Sequence, residues 1–170
     1  MRACFRAAMP SQPVPPSSES FAQHQVRLGV SADAPALDAW LQAAMPLPVP
    51  AARARRLVLE GLLAQSGQGA CLLAMHEDDI AACLPVALVS SLEFGGLVAC
   101  VTEWWSSDAA ASGSGCLMAC LATLADWCRA HGIRHLLLAP GLAADVPTGF
   151  ARHHSGLWHR MVVPAPKTLG

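Results

Sequence analysis

The longest regular pattern of apolar residues predicts a helix that begins near Gly115. Apolar side chains recur there at the spacing of one buried helix face, and Gly132 follows as a C-terminal stop. A strand-like run from Leu97 to Trp105 precedes this helix, and an apolar strand from Arg134 to Pro140 follows it. The pattern therefore predicts a βαβ unit. The residues of the buried face are Leu117, Cys120, Leu121, Leu124, Trp127 and Cys128.

Shorter patterns predict the elements on either side of this unit. Alternating or continuous apolar runs, separated by Gly and Pro turns, indicate strands from Gln25 onward and over residues 70–76, 80–94 and 158–163. Helical spacing indicates helices over residues 31–42, 51–65 and 148–154. The strands at 70–76, 80–94 and 97–105 are joined by short turns, so we expect antiparallel neighbours. The predicted class is α/β, with a mixed, mostly antiparallel sheet flanked by helices.

Composition narrows the possible partners. The 170 residues are 54% hydrophobic and only 14% charged, with a net charge of −1. The longest apolar run, residues 80–89, contains Pro85 and is half as long as the roughly 20 residues that a spanning helix needs. A nearly neutral chain has no general attraction to polyanions. We therefore expect neither a membrane nor a nucleic acid as partner, and the generous apolar content suggests a possible homodimer.

Two further features concern the compartment and the domain boundary. Seven cysteines at irregular spacings do not form a disulfide framework, which favours a reduced, cytoplasmic setting. No C-x-x-C occurs and no histidine stands at zinc-site spacing from the helical cysteines, so we expect no metal. Prolines cluster in residues 1–24, which predicts a disordered N-terminal extension before a single domain over residues 25–170.

The loop before the predicted helix is a candidate anion site. The first N–H groups of a helix have no partner within it, and the helix dipole adds partial positive charge there. Gly113 and Gly115 would let a phosphate approach the main chain, and Ser112 and Ser114 would add hydroxyl donors. The alternative is that this G-x-G only relaxes a tight turn.

The order of elements and three segments resemble the GNAT superfamily of acyl-CoA-dependent N-acyltransferases. The segments are VRLGVSADAPALDAWLQ (residues 26–42), VTEWWSSDAAASGSGCLMACLATLADWCRAHGIRHLLL (101–138) and FARHHSGLWHR (150–160). The resemblance implies acetyl-CoA or another acyl-CoA as co-substrate, bound in a gap beside one strand end. The residues it implies for binding are Trp105, Ser106, Ala110, Ala111, Ser112, Gly113, Ser114 and Gly115. Ala110 stands where the family motif has Arg or Gln.

Three side chains are candidates for catalysis. Glu103 would be the general base that deprotonates the attacking amine, next to tryptophans that would shield its carboxylate from water. The alternative is a glutamate at the end of a strand that only faces solvent. The resemblance implies a tyrosine as the acid for the leaving thiolate, but the chain has none, and His153 and His154 are the nearest titratable residues. The implied acceptor is a primary amine of a small molecule or a protein. The alternative is a GNAT-fold binding or regulatory module without catalysis.

Overall fold

The computed structural model describes residues 24–65, 67–107, 114–143 and 145–163, which form one mixed sheet with helices on both faces. The helices are α1 (Ala34–Ala44), α2 (Val49–Leu63) and α3 (Ser114–Ala130). Short 3-10 helices span Ser31–Asp33 and Pro140–Leu142. The strands are β1 (Gln25–Leu28), β2 (Gly69–His76), β3 (Asp79–Ser91), β4 (Gly96–Val101), β5 (Trp105–Ser106), β6 (His135–Leu138), β7 (Ala151–Arg152) and β8 (Trp158–Met161).

The sheet has the strand order β1-β2-β3-β4-β6-β8-β7, and β5 pairs with β3. Only the β4–β6 pair is parallel among the described strands, and α3 makes the crossover between these two. The predicted βαβ unit is therefore confirmed, as is the antiparallel arrangement of β2, β3 and β4. A parallel pair requires such a crossover, because its two strands begin at the same end of the sheet.

One face of the sheet is covered by α3. Its buried residues pack on Leu136 and Leu138 of β6 and on Ala99 and Val101 of β4. The helical cysteines lie in this core as small apolar residues, and burial raises the pKa of the Cys128 thiol to about 12. The buried α3 residues are Cys116, Leu117, Cys120, Leu121, Leu124, Ala125 and Cys128. Trp127, predicted on the same face, is partly buried against this core.

The other face carries α1 and α2. Leu37 and Leu41 of α1 and Leu59 and Leu63 of α2 pack on Cys71, Leu73 and Cys83 of the sheet. β2 is thus buried on both faces, which explains its unbroken apolar sequence from Ala70 to Ala74. α2 begins two residues before the predicted start, because Pro50 fits the first helical turn, where its missing N–H costs nothing.

The predicted helix over residues 148–154 is wrong. This segment forms a turn followed by β7, which pairs with β8 in an antiparallel hairpin. Gly149 has φ +83°, a left-handed conformation that does not continue a right-handed helix, and the Phe150 N–H closes a turn on the carbonyl of Pro147. The helix–turn–strand expected from FARHHSGLWHR is therefore a strand–turn–strand.

Two expectations concern the ends and the surroundings of the domain. The predicted N-terminal extension lies outside the described residues up to residue 23, and order is described from His24. Among the described helices, none combines the length and the apolar character needed to cross a bilayer.

Candidate functional site

The strand predicted over Leu97–Trp105 is interrupted after Val101. β4 pairs with β3 from Ser91↔Gly96 to Ala87↔Cys100, whereas β5 pairs with β3 at Cys83↔Trp105. The register is shifted by one residue between the two ladders, so residues 102–104 contain one residue more than the facing part of β3. An extra residue of this kind bends the strand and increases its twist.

The bend opens the sheet between β4 and β6. Their parallel ladder ends with the pair Val101↔Leu138, followed by a bond from the Ala139 N–H to the Val101 carbonyl (2.9 Å). Beyond this point the two chains diverge, because β5 follows β3 while Ala139 leads into the 3-10 helix at Pro140. The opening lies at the carboxyl ends of two parallel strands, where α/β sheets bind ligands.

The start of α3 follows this opening in the chain. α3 begins at Ser114, and Gly115 is exposed in its first turn. A Cβ added at Gly115 would meet none of the described atoms within 4 Å. This position therefore has room for a side chain among the described residues. The other predicted phosphate-binding residues, Ala110, Ala111, Ser112 and Gly113, lie outside the described residues, so their role stays a prediction.

Glu103 lies in the bent segment between β4 and β5. Its Oε2 accepts a hydrogen bond of 3.0 Å from the indole Nε1 of Trp105. The carboxylate is exposed, which differs from the shielded environment that we predicted from the neighbouring tryptophans.

The two tryptophans point to opposite sides, as the alternation of a strand predicts. Trp104 packs against the core beneath α3, and Trp105 packs against the core beneath α1 and α2. Trp105 also carries the indole that holds Glu103. The same ring thus supports both the α1–α2 core and the candidate base.

Glu103 and Trp105 line a cavity of about 300 Å³ under α1 and α2. The other walls are apolar except for Arg55 and are formed by Leu41, Met45, Val58, Leu59, Leu62 and Pro85. Arg55 is held in place by its Nη1, which donates to the Met45 carbonyl (2.9 Å), and by its Nη2, which donates to Gln42. The cavity therefore has apolar walls, one guanidinium that is hydrogen-bonded to the end of α1, and one exposed carboxylate at its edge.

The walls contributed by α1 and α2 were not predicted from the sequence. The arginine cluster at Arg53, Arg55 and Arg56 is typical of a solvated helix face, and the structure shows that Arg55 instead ties α2 to the end of α1. The length of the connection between the two helices, residues 45–48, could have suggested the contact between Arg55 and the end of α1. A connection of only four residues keeps the two helices in contact, which places Arg55 beside Met45.

Cysteine chemistry is a second possibility at this site, because Cys83 pairs with Trp105 across the β3–β5 ladder. The Cys83 side chain is fully buried. A hydrogen bond with the Cys71 thiol and burial raise the pKa of Cys83 far above its ordinary value. A thiol held neutral is a poor nucleophile, so Cys83 serves as a packing residue.

The structure separates His153 and His154 from Glu103. Both follow β7 and lie against Glu93, in the turn that precedes β4, whereas Glu103 follows the other end of that strand. His153 Nε2 is 3.1 Å and His154 Nδ1 is 3.6 Å from Glu93 Oε1. Since they are not on a helix, both rings reach the same carboxylate. Their contacts do not link them to the cavity lined by Glu103.

Comparison with solved structures shows which known proteins share this fold. The chain matches the GNAT family N-acetyltransferase YhbS of Escherichia coli, solved in complex with CoA, with a TM-score of 0.61 over 86% of this chain and 85% of that one, at 14% identity. The chain has the GNAT fold. A GNAT family acetyltransferase from Streptococcus pneumoniae matches with a TM-score of 0.56 over 83% of this chain and 100% of that one, at 15% identity.

Sequence similarity is sparser than structural similarity. An integron cassette protein from the mobile metagenome of Cole Harbour Salt Marsh is 29% identical over 69% of this GNAT-fold chain and 78% of its own, with a TM-score of 0.55. No family model and no curated protein sequence matches the chain. The GNAT resemblance stated from three segments is thus supported by structure rather than by sequence.

Proposed function

We propose that this protein is an acyl-CoA-dependent N-acyltransferase that transfers an acyl group directly to a primary amine. The observation that carries the proposal is the end of the β4–β6 pairing after Val101 and Leu138, in the two strands that α3 connects. The extended arm of acyl-CoA that carries the thioester fits the opening at this point. The bent segment has no neighbouring strand on the β6 side, so its backbone N–H and C=O groups could hydrogen-bond this arm. The CoA-bound structure of YhbS, which has the same fold, supports acyl-CoA as the ligand.

The pyrophosphate of the acyl-CoA would bind at the first turn of α3. The N–H groups there and the positive end of the helix dipole attract phosphate oxygens. No Lys or Arg occurs between residues 57 and 128, so main-chain amides and hydroxyls would supply most of this attraction. We therefore expect binding that depends on backbone geometry more than on salt bridges.

The reaction requires a base, and Glu103 is the residue we assign to it. Its carboxylate removes a proton from the ammonium group of the acceptor, directly or through one water molecule, which frees the nitrogen lone pair. The amine then attacks the thioester carbonyl, the C–S bond breaks, and the nitrogen releases its second proton to solvent as the amide product forms. The thiolate takes a proton from solvent. His153 and His154 are given no part in the transfer, because their partner is Glu93.

The acceptor would occupy the cavity under α1 and α2. Its walls suit an amine with an apolar body, and the carboxylate of Glu103 at the edge suits the positively charged amino group. A cavity of about 300 Å³ has the volume of a small-molecule site. We therefore favour a small apolar amine over the amino group of a folded protein.

A binding module without catalysis is the alternative function. Two departures from the family pattern favour it: Ala110 in place of Arg or Gln, and the absence of tyrosine from the chain. The exposed Glu103 beside a cavity favours the enzyme. An assay with acetyl-CoA and a panel of small apolar amines, in which turnover is measured as the release of free thiol, distinguishes the two functions. An enzyme releases thiol with at least one amine, and a binding module releases it with none.

The Glu103→Gln variant tests the assignment of the base. It keeps the size and the hydrogen bond from Trp105 but removes the basic carboxylate, so kcat should fall about 100-fold or more. Acetyl-CoA affinity should stay unchanged. Glu60→Gln, which alters an exposed carboxylate on α2 paired with Arg56, is the matched control and should keep full activity. Equal activity of the Glu103→Gln variant and the wild type would refute the assignment.

A further inference from the structure

A second cluster of side chains lies away from the proposed active site, at the turn between β3 and β4. Glu93 of this turn meets His153 and His154, which come from the turn between β7 and β8. One ligand atom from each residue lies within 4.8 Å of the others. We propose that Glu93, His153 and His154 bind a divalent transition-metal ion, with Zn²⁺ as the ion whose ligand preference fits this set.

The distances suit tetrahedral coordination. Zinc bonds of about 2.0–2.2 Å to nitrogen and oxygen place two ligands of a tetrahedral site roughly 3.3 Å apart. Glu93 Oε1 lies 3.1 Å from His153 Nε2 and 3.6 Å from His154 Nδ1. An ion could therefore bind with small side-chain rotations. Two imidazoles and one carboxylate leave a fourth position for water, as in zinc sites with three protein ligands.

His153 is already oriented for this role by its neighbours. Its side chain is only 13% exposed, and its Nδ1 lies 2.8 Å from the Ser155 hydroxyl. The Ser155 N–H also donates to Nδ1 over 3.4 Å, so Nδ1 accepts in this arrangement. A metal ion on Nε2 would place the proton on Nδ1 instead, which would then donate to the Ser155 hydroxyl, the kind of outer contact that fixes a histidine ligand. The Phe94 ring lies 5.4 Å from the ring of His153 and stacks on His135 and His159.

The site would join two hairpins that are distant in sequence. Glu93 precedes His153 by 60 residues, so no local spacing motif marks the site, which explains why the sequence led us to expect no metal. β7 is the edge strand of the sheet and contains only two residues. A metal ion between the two turns would fasten this short edge hairpin to the β3–β4 hairpin, so its binding should stabilise the fold.

Zinc binding to the full chain without a polyhistidine tag tests the proposal. We expect Zn²⁺ to bind with one dominant site in calorimetry and to raise the thermal unfolding midpoint, because an ion bound only by the folded state stabilises it. Glu93→Gln and His154→Gln should each weaken the affinity at least about tenfold, since even loss of an outer-shell partner costs 10- to 100-fold. Both variants should also lose the rise in the midpoint.

His131→Gln is the matched control. His131 is exposed at the end of α3, and its Nδ1 lies 2.8 Å from the Trp127 carbonyl, so its replacement should leave zinc affinity unchanged. Both altered ligands are at least half exposed, so the variants should fold, and circular dichroism checks this. The proposal is overturned if Zn²⁺ leaves the wild type unaffected, or if Glu93→Gln and His154→Gln bind it as tightly as His131→Gln does.

Discussion

Asp33 shows how one side chain can fix the junction between a strand and a helix. Its two carboxylate oxygens accept hydrogen bonds of 2.7 and 2.8 Å from the Arg27 guanidinium of β1. One of them also accepts a bond of 2.8 Å from the Val30 N–H. The Arg27 guanidinium, and to a lesser extent that N–H, holds the pKa of Asp33 below its ordinary value. The carboxylate therefore stabilises the fold in its ionised form.

The pH dependence of stability follows from this lowered pKa. The contribution of Asp33 is fully present above the pKa that it has in the unfolded chain, 3.8, and is lost as the pH falls through the lower value of the folded state. Asp33→Asn should lower the free energy of unfolding by about 1 kcal/mol at pH 6. This is less than a buried charged hydrogen bond contributes, because Arg27 is partly exposed to solvent. The cost should shrink at pH 3.

Urea unfolding of the wild type and Asp33→Asn at pH 6 and pH 3 measures this effect. Asp78→Asn, at an exposed position in the β2–β3 turn, controls for the general effect of removing a negative charge. A cost that is the same at both pH values would contradict the ion pair as its source.

At the scale of elements, α2 and β3 both approach β2 closely at Gly69, the first residue of β2. A Cβ added at Gly69 would lie 1.9 Å from the Val86 carbonyl oxygen and 2.7 Å from Leu62 Cδ2. The absent side chain therefore lets β3 and α2 approach β2 at once. This close approach positions the helix whose residues Leu59 and Leu62 line the proposed acceptor cavity.

Gly69→Ala should destabilise the protein by about 2 kcal/mol or more, because overpacking against backbone cannot be relieved by rotating a side chain. Gly96→Ala is the matched control, since Gly96 begins β4 and its added Cβ would meet nothing within 4 Å. The free energy of unfolding in urea compares the two variants. Equal stability of both would show that α2 does not lie so close to the sheet.

Elements with a single clear period were predictable from the sequence. Burial is visible directly in the three- and four-residue spacing of α3 and in the apolar runs of β2, β3 and β6. The predicted antiparallel pairing of β2 with β3 is confirmed. β7 was missed because two residues are too few for a period. The break after Val101 was missed as well, since Thr102 and Glu103 are followed by two tryptophans and only the register with β3 reveals the extra residue.

Residues of the candidate site could be proposed from the sequence only where they follow each other in the chain. Glu103 and Trp105 were proposed because both belong to the segment before α3, and their roles stay predictions. Arg55 was missed as a wall of the cavity, and Glu93 as a partner of His153, because the fold brings them there from distant segments. Local sequence patterns do not report such contacts, which depend on the packing of whole hairpins and helices.

For the whole molecule, the central claim is that acyl-CoA binds across the sheet opening and the start of α3. The prediction of a homodimer is separate from this claim and stays a prediction. Gly115 offers a direct test because it is exposed in the first helical turn, and a Cβ added there would meet none of the described atoms within 4 Å. Replacing glycine in a helix raises helix propensity, and a negative charge near the N-terminus adds stability. Gly115→Glu should therefore fold at least as well as the wild type.

Calorimetric titration with acetyl-CoA, using wild type, Gly115→Glu and its uncharged match Gly115→Gln, is the decisive measurement. We predict that the wild type binds, that the introduced carboxylate repels the pyrophosphate and weakens binding at least tenfold, and that glutamine weakens it less. No detectable binding to the wild type, or equal binding to wild type and Gly115→Glu, would contradict the account.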